Sequence, residues 1–558
     1  MKKFLQESKL LWIFLLIAFV ASLVSADEKT DKVDKLFSKW DSTVSPGAAL
    51  AIIKDGEIIY KRGYGMANLE HNIPLTSTSV FRIGSTSKQF TASCIAILAL
   101  QGKISLDDNI RKYMPELPKY EKPITIRHLV HHTSGIRDYL TLSDIAALPD
   151  DHFYTPEETV ELLSRQKGSN FPPGEEHLYS NSGYFLMGVI VKRASGKSLN
   201  DFAQKHIFKP LGMKNTHFHD DHTMVVKNRA DGYSPTKKGF RIDMTTLDHV
   251  GDGGVFTTVE DLFLWDQAFY SYKLGKELME LIQTPGVLNN GEKLDYAFGL
   301  GINEYKGLKR VSHGGGFAGF RAQMARFPGQ KFTVVCLANL GTINPSRLCL
   351  KVADIYLADK LKEPEKAPKE KKKIKAVTLS KQELEGKVGN YEDERTGEWI
   401  IISMKEGKLV FGAAGRKYAL TPVSKTRFQA LDAPFDNSIE FIPDEKGIIR
   451  KAKTTIEGGE DSNLVKSSLL SPLTPAQLKE YAGDYFNDEL PVTYKLAVEK
   501  GSLFFKHKNA PKGALKAMDR DKFTMRWFNL EFVRDKRKRI KGFVLGAGRA
   551  ANIEFVKK

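Results

Sequence analysis

Three short stretches of this chain carry residue types whose spacing could do chemistry. The first is Phe81-Arg-Ile-Gly84-Ser85-Thr86-Ser87-Lys88, directly before an apolar run. A serine and a lysine three positions apart on a helix share one face, so the amine can lie against the hydroxyl. A free hydroxyl is a poor nucleophile and needs such a neighbouring base. A serine at a helix N-terminus also has backbone N–H groups at hand to stabilise an oxyanion. Ser-x-x-Lys alone recurs by chance in most long chains; here a strand-like segment precedes it and a buried helix follows, which is the context the chemistry needs. The second stretch runs from Phe171-Pro-Pro-Gly174 to Tyr179-Ser180-Asn181. A Tyr-x-Asn after a Pro-Gly loop can aim a phenol and an amide into one pocket, although a single tyrosine more often just buries a satisfied hydroxyl. The third is Val311-Ser-His313-Gly314-Gly315-Gly316. Glycines after a polar residue on an edge strand let a substrate come close to the backbone.

The elements that must position these residues are legible around them. Residues 91–100 are almost wholly apolar and predict a buried helix. Residues 49–60 are two β-rich runs around Asp55-Gly56, a hairpin turn pair. Residues 332–337 predict a buried strand. From 363 to 373 the chain holds two prolines, dense charge and almost nothing apolar, the composition of a solvated linker. Beyond it the sequence repeats: Leu384-Glu-Gly-Lys-Val-Gly389-Asn-Tyr391 matches Leu478-Lys-Glu-Tyr-Ala-Gly483-Asp-Tyr485, and Ile439-Glu-Phe441 matches Leu530-Glu-Phe532. Two copies of about 90 residues are too long for solenoid repeats. Their short alternating runs with Gly-containing turns predict two small antiparallel β domains, read as barrels. The domain reading is therefore 1–26 signal segment, 27–360 hydrolytic domain, 361–376 linker, 377–468 and 469–558 the two β domains.

Composition narrows the class. The chain has 558 residues, 41% of them hydrophobic and 27% charged, which excludes a disordered chain, a fibre and a polytopic membrane protein. Lys2, Lys3 and Lys9, the apolar residues 10–24 and Ser25-Ala26 before Asp27-Glu28 read as a secretory signal cleaved after Ala26, with an uncleaved membrane anchor as the alternative. With 84 Lys+Arg against 67 Asp+Glu the net charge is +17, and for an exported protein that suits an anionic cell envelope rather than nucleic acid. Three cysteines, Cys94, Cys336 and Cys349, exclude a disulfide-stapled scaffold. They read as buried thiols, although a Cys336–Cys349 bridge is compatible with an oxidising compartment. His128, His131 and His132, or His217, His219 and His222 with Asp220 and Asp221, have spacings that could bind zinc, but neither set has a defined complement of ligands, so no metal is expected. His313-Gly-Gly-Gly316 could also be the oxyanion motif of an α/β-hydrolase, but no Gly-x-Ser-x-Gly elbow follows it.

Taken together and in this order, the three stretches resemble the serine β-lactamase/penicillin-binding family, in the branch of class C β-lactamases, D-aminopeptidases, D-alanyl-D-alanine carboxypeptidases and related esterases. Residues 102–108, 124–135, 210–213 and Gly253-Gly254 before Asp261 are similar to it as well, so the resemblance spans roughly 40–345. It implies an α/β (α+β) β-lactamase/transpeptidase-like domain, an antiparallel sheet flanked by helices with a helical subdomain. One such domain followed by two β domains resembles three-domain D-aminopeptidases. By resemblance, Ser85 is the acylated nucleophile, Lys88 and Tyr179 share the proton transfers, Asn181 holds the substrate amide, and the N–H groups of Ser85 and Gly316 form the oxyanion hole. His313 completes the catalytic set, with Gly314 and Gly315 along the substrate. No cofactor is implied. The expected partner is a small-molecule or short-peptide substrate of cell-wall origin, with no nucleic acid, and a membrane only through an uncleaved N-terminal segment. Many relatives carry lysine where this chain has His313, and an unperturbed histidine titrates near 6.5, so strong β-lactamase activity is not expected. The implied function is an exported serine hydrolase, a peptidase on small D-amino-acid peptides or amides. The alternatives are an esterase or weak β-lactamase with the same residues, and an acylated sensor that does not turn over. A basic segment, 506–520, is the candidate loop that would draw a substrate carboxylate.

Overall fold

The computed structural model describes residues 28–148, 155–362, 377–394, 397, 399–413, 416–430, 437–456, 462–468, 473–507 and 513–558. The segment read as a signal and most of the segment read as a linker lie outside them. The chain divides into two compact units: one made of residues up to 142 and from 150 to 364, the other of 365–558 together with 143–149.

The first unit is built on a six-stranded antiparallel sheet. Its strands are β1 (Ala48–Lys54), β2 (Glu57–Tyr64), β3 (Gly301–Tyr305), β4 (Leu308–Phe317), β5 (Phe320–Phe327) and β6 (Phe332–Ala338), in the order β3-β4-β5-β6-β1-β2. The chain termini of this unit therefore meet mid-sheet, where β1 pairs with β6 from Ala48↔Ala338 to Lys54↔Phe332. β1 is buried over six of its seven residues, as expected of a strand with both faces covered. Asp55 and Gly56 turn it into β2 with φ of 51° and 90°, the left-handed pair a tight hairpin requires. One sheet face is closed by helix α4 (Pro345–Tyr356), whose Leu348, Cys349, Val352 and Ala353 join Val33, Phe37 and the sheet in one core. α3 (Val259–Ser271) contacts β1 and β6, and its buried Asp266 accepts from Arg326 at 2.6 Å and Thr333 at 2.9 Å, so the buried guanidinium of β5 is compensated. The helical part centres on α1 (Lys88–Leu100) packed against α2 (Asn181–Ser195), both buried almost all round. Cys336 and Cys349 are buried free thiols, with no bridge between them.

The second unit holds two closed eight-stranded antiparallel barrels, from Gly389–Asp393 to Ser462–Lys466 and from Gly483–Asn487 to Ala550–Lys557. The repeat seen in the sequence is a repeat of structure. Each copy starts with a one-turn helix closed by a capping box, Ser380 with Glu383 and Thr474 with Gln477. Each then buries a tyrosine that donates to the carbonyl four residues earlier, Tyr391 to Lys387 and Tyr485 to Tyr481, both at 2.8 Å. The segment read as a basic loop is a hairpin instead: Lys506 ends the strand Ser502–Lys506, and Gly513–Asp519 pairs back on it, with Phe505↔Gly513 nearest the tip. Leu503 and Phe505 are buried on the first strand and Leu515 and Met518 on the second, where the register shifts between Ala517 and Asp519; these side chains feed the barrel core, whatever the charge between them. Residues 508–512 lie outside the described set. Among the described residues no helix is long and apolar enough to cross a membrane.

Candidate active site

Ser85 sits in a single 3₁₀ turn, Gly84–Ser87, that leads into α1. From Phe81 to Phe90 every residue is buried except Ser85. The turn depends on Gly84, whose φ is +51° and whose missing Cβ would lie 2.7 Å from the backbone nitrogen of Gly316. Lys88, the first residue of α1, is fully buried. Its Nζ donates to Ser85 Oγ at 3.3 Å, Asn181 Oδ1 at 2.9 Å and the Asp252 carbonyl at 2.5 Å. It also lies 4.8 Å from the Tyr179 ring centre and 5.5 Å from that of Tyr184. Three acceptors and two aromatic faces replace the water a buried amine gives up. The geometry places an amine against a partly exposed hydroxyl, the arrangement that lets a serine lose its proton as it attacks.

Tyr179 and Asn181 straddle the start of α2. Asn181 N–H is held by Asp138 Oδ2 at 2.7 Å, and Ser180 N–H donates to His132 Nδ1 at 3.1 Å. The His132 imidazole lies 4.3 Å from the Tyr179 ring, centre to centre. His132 is 1% exposed, with φ of 57°, and burial, then the nearby Lys88, holds its pKa well below the ordinary histidine value. It is therefore a neutral ring that accepts from Ser180, so its proton is on Nε2.

β4 supplies the opposite wall. Only its first half is paired with β3, up to Ser312↔Gly301, so the segment from His313 to Phe317 borders the serine turn. Thr86 Oγ1 donates to the His313 carbonyl at 3.4 Å. A Cβ on Gly315 would meet the Ile83 carbonyl oxygen at 1.9 Å, and one on Gly314 would meet Gln323 Oε1 at 2.8 Å. These glycines let the strand seat on the serine turn and on its neighbour β5, a reason for glycine beyond access for a substrate. Gly316 is the exposed one. His313 keeps part of its surface exposed, while its imidazole lies deep among protein atoms. Its Nδ1 is 2.6 Å from the Gly314 carbonyl and its Nε2 is 3.0 Å from the Tyr296 hydroxyl. A carbonyl can only accept, so Nδ1 carries the proton and Tyr296 donates to Nε2. Burial, then Lys88, pushes the His313 pKa down to about 4. The sequence led us to expect a group titrating near 6.5; it is a neutral hydrogen-bonded ring at neutral pH.

The structure thus brings Ser85, Lys88, Tyr179, Asn181, His313 and Gly314 to Gly316 around one turn. It adds Asp252, Asp138, His132 and Tyr296, none of which the sequence reading placed in the site. Asp252 lies in Gly251-Asp252-Gly253-Gly254, where Gly251 and Gly254 have φ of 118° and 88°, and that glycine cluster was the signal for a special backbone presenting a carbonyl. The histidine sets read as zinc candidates do different work. The helix Ile126–Val130 ends before His131, His128 Nδ1 caps its start, and His217 pairs with His219 at 3.2 Å.

Comparisons with known proteins identify relatives of this chain. The β-lactamase family profile matches residues 33–353. Penicillin-binding protein 4* of Bacillus subtilis is 32% identical over 408 residues, 68% of this chain and 87% of its own length. A D-aminopeptidase of Brucella anthropi is 26% identical over 469 residues, 82% of each chain. The solved octameric penicillin-binding protein homologue of Pyrococcus abyssi superposes with a TM-score of 0.53 at 25% identity, covering 81% of this chain and all of that one.

Proposed function

The chain belongs to the β-lactamase family and is a serine hydrolase, and from that premise we propose that it cleaves small D-amino-acid peptides or amides through an acyl-enzyme on Ser85. The observation that carries this reading is the buried Lys88 amine 3.3 Å from the one side chain of its turn that is not buried. Lys88 and Tyr179 share the proton transfers from Ser85 Oγ to the leaving nitrogen. Asn181, its Oδ1 held by Lys88, offers its amide nitrogen to the carbonyl of the substrate's acyl side chain. The N–H groups of Ser85 and Gly316 receive the oxyanion, a donor of this kind being worth about 3 kcal/mol in the transition state.

Neutral His313 decides among substrates. A site that fixes a carboxylate through a cation on this strand needs a charge that His313, engaged by Tyr296, lacks at neutral pH. We therefore favour amides and peptides with an uncharged leaving side over β-lactams, whose carboxylate is permanent. The relative named D-aminopeptidase supports a D-amino-acid substrate. The basic and apolar N-terminal residues support action outside the cytoplasm, on cell-wall material.

The test is a hydrolysis panel of D-alanine amides, D-Ala-D-Ala, short acyl p-nitrophenyl esters and a chromogenic cephalosporin, with mass spectrometry after a fluorophosphonate pulse. Turnover of the D-amides above the cephalosporin, and a single adduct on Ser85, is the expected result. Ser85→Ala should lose both adduct and turnover while melting like the parent. Activity retained by that variant sinks the acyl-enzyme reading, and stable acylation without turnover makes the chain a sensor.

A further inference from the structure

The two barrels are copies of one fold, so each serves as a control for the other, and they differ sharply at one turn. In the first, residues 443–450 carry two acids and two bases, net zero. In the second, residues 534–541 carry six bases and one acid, net +5. The backbone is the same. Asp444 N–H donates to the Ile448 carbonyl at 2.9 Å, and Asp535 N–H to that of Arg539 at 2.8 Å. Asp444 Oδ1 accepts from the N–H groups of Lys446 and Ile448, and Asp535 Oδ1 from those of Arg537 and Arg539. The turn therefore folds without the charges. It even bears a cost for one of them: Lys538 sits at φ of 60°, where the first copy has Gly447 at 76°.

Four of these cations, Arg534, Lys538, Arg539 and Lys541, line a cleft of about 870 Å³ with Arg520, Lys557 and Lys558. Its two carboxylates are already engaged, Glu480 by Arg534 at 3.0 Å and Asp535 by Arg539 at 2.8 Å. Arg534, held by Asp521 at 2.8 Å, also donates to the Lys538 carbonyl at 2.7 Å and so braces the turn. Lys557 is excluded from the special set, because Lys466 does the same structural work in the first copy. That leaves Arg520, Lys538, Lys541 and Lys558, which form no ion pair among the described residues. The cleft's only apolar lining is Ile540 and Val556. Among the described residues no aromatic side chain lines it for a base to stack on. The exposed Trp527 is at the other end of the strand Phe528–Arg534, about 20 Å away along a seven-residue strand.

We propose that this cleft binds a flexible linear polyanion that carries phosphate or carboxylate groups and no bases, and so holds the hydrolase on an anionic polymer. The test measures binding of the full chain to fluorescein-labelled polyphosphate and polygalacturonate across a salt series. At least one should bind, with affinity falling steeply as salt rises, as when several cations displace condensed counterions. Lys538→Glu/Lys541→Glu should weaken that binding by about tenfold or more and flatten the salt slope by about two contacts. Lys446→Glu in the first barrel, the matching turn, should leave binding unchanged, and p-nitrophenyl acetate hydrolysis should be unaffected in all variants. Which probe binds tells phosphate from carboxylate, and either supports the proposal. No binding to either probe overturns it. So does equal weakening by Lys446→Glu, which would mean diffuse charge. Equal or tighter binding to duplex DNA or to phosphatidylserine vesicles, lost in the same double variant, overturns it in favour of those partners.

Discussion

His313 separates what a residue type promises from what its surroundings permit. As an ordinary imidazole it would change charge near pH 6.5. With Nδ1 spent on Gly314, Nε2 on Tyr296 and the ring enclosed beside Lys88, it stays neutral until about pH 4. Protonation there would put a second cation beside Lys88 and convert Nε2 from acceptor to donor, breaking the bond from Tyr296. The sign is therefore fixed: activity is retained as pH falls through 6.5 and is lost as pH approaches 4. In kcat/KM against pH we expect an acid limb below about pH 5, and His313→Gln should displace it. A limb near 6.5 in the parent that vanishes in His313→Gln would contradict the neutral pair. His313→Lys should raise kcat/KM for free-carboxylate substrates relative to their amides by about tenfold, since it adds a fixed cation on that strand. Ser85, Lys88, Tyr179 and Asn181 were legible because each pair lies within one turn of chain. Tyr296 and Asp252 were not, because their partners lie 17 and 164 residues away and no local pattern marks the contact.

Among the elements, β4 shows why three consecutive glycines are not interchangeable. The sequence reads them alike, as room for a substrate. Strand pleating sends their absent side chains to opposite sides. At Gly315 a methyl would stand 1.9 Å from the Ile83 carbonyl and 2.9 Å from the Thr86 nitrogen, both backbone, so the strand must retreat from the serine turn. At Gly316 it would meet only the flexible Arg321 side chain, at 3.1 Å. Gly315→Ala should therefore cost about 1–3 kcal/mol of stability. It should also cost about a hundredfold in kcat, the scale of a 1 Å misplacement at a reacting centre. Gly316→Ala keeps its N–H and should stay within a fewfold of the parent in kcat. Thermal melts and steady-state kinetics on the two variants check this; equal losses would mean that Gly315 does not set the seating of β4. The hairpin 48–64, helix α1 and strand β6 were legible from turn chemistry and apolar runs. The strand Gly513–Asp519 was misread as a loop because its charge masked the buried Leu515 and Met518 that feed the barrel core.

At the scale of the molecule, the two units are chemically unlike, and acid should tell them apart. The duplication was readable from the sequence, because a repeat leaves its mark in the order of residues. The imbalance in histidine becomes meaningful only with burial. Twelve of the thirteen histidines precede residue 360, and only His507 lies in the barrel unit. In the first unit His131, 4% exposed, is pushed down to about 4 by burial, and burial also lowers His132 and His249. These rings are neutral when folded and free to protonate near 6.5 when unfolded, so below that pH the unfolded state binds more protons. Stability from them is complete above about 6.5 and declines as pH falls toward 4. At pH 5 a group moved from 6.5 to 4 contributes a loss of about 2 kcal/mol, and several such groups add. Differential scanning calorimetry at pH 7.5 and 5.0 should show the transition of the hydrolase unit falling by several degrees while that of the barrel unit stays within a degree or two. Joint and equal shifts, or no shift in either, would mean that the buried histidines are not held neutral by the fold.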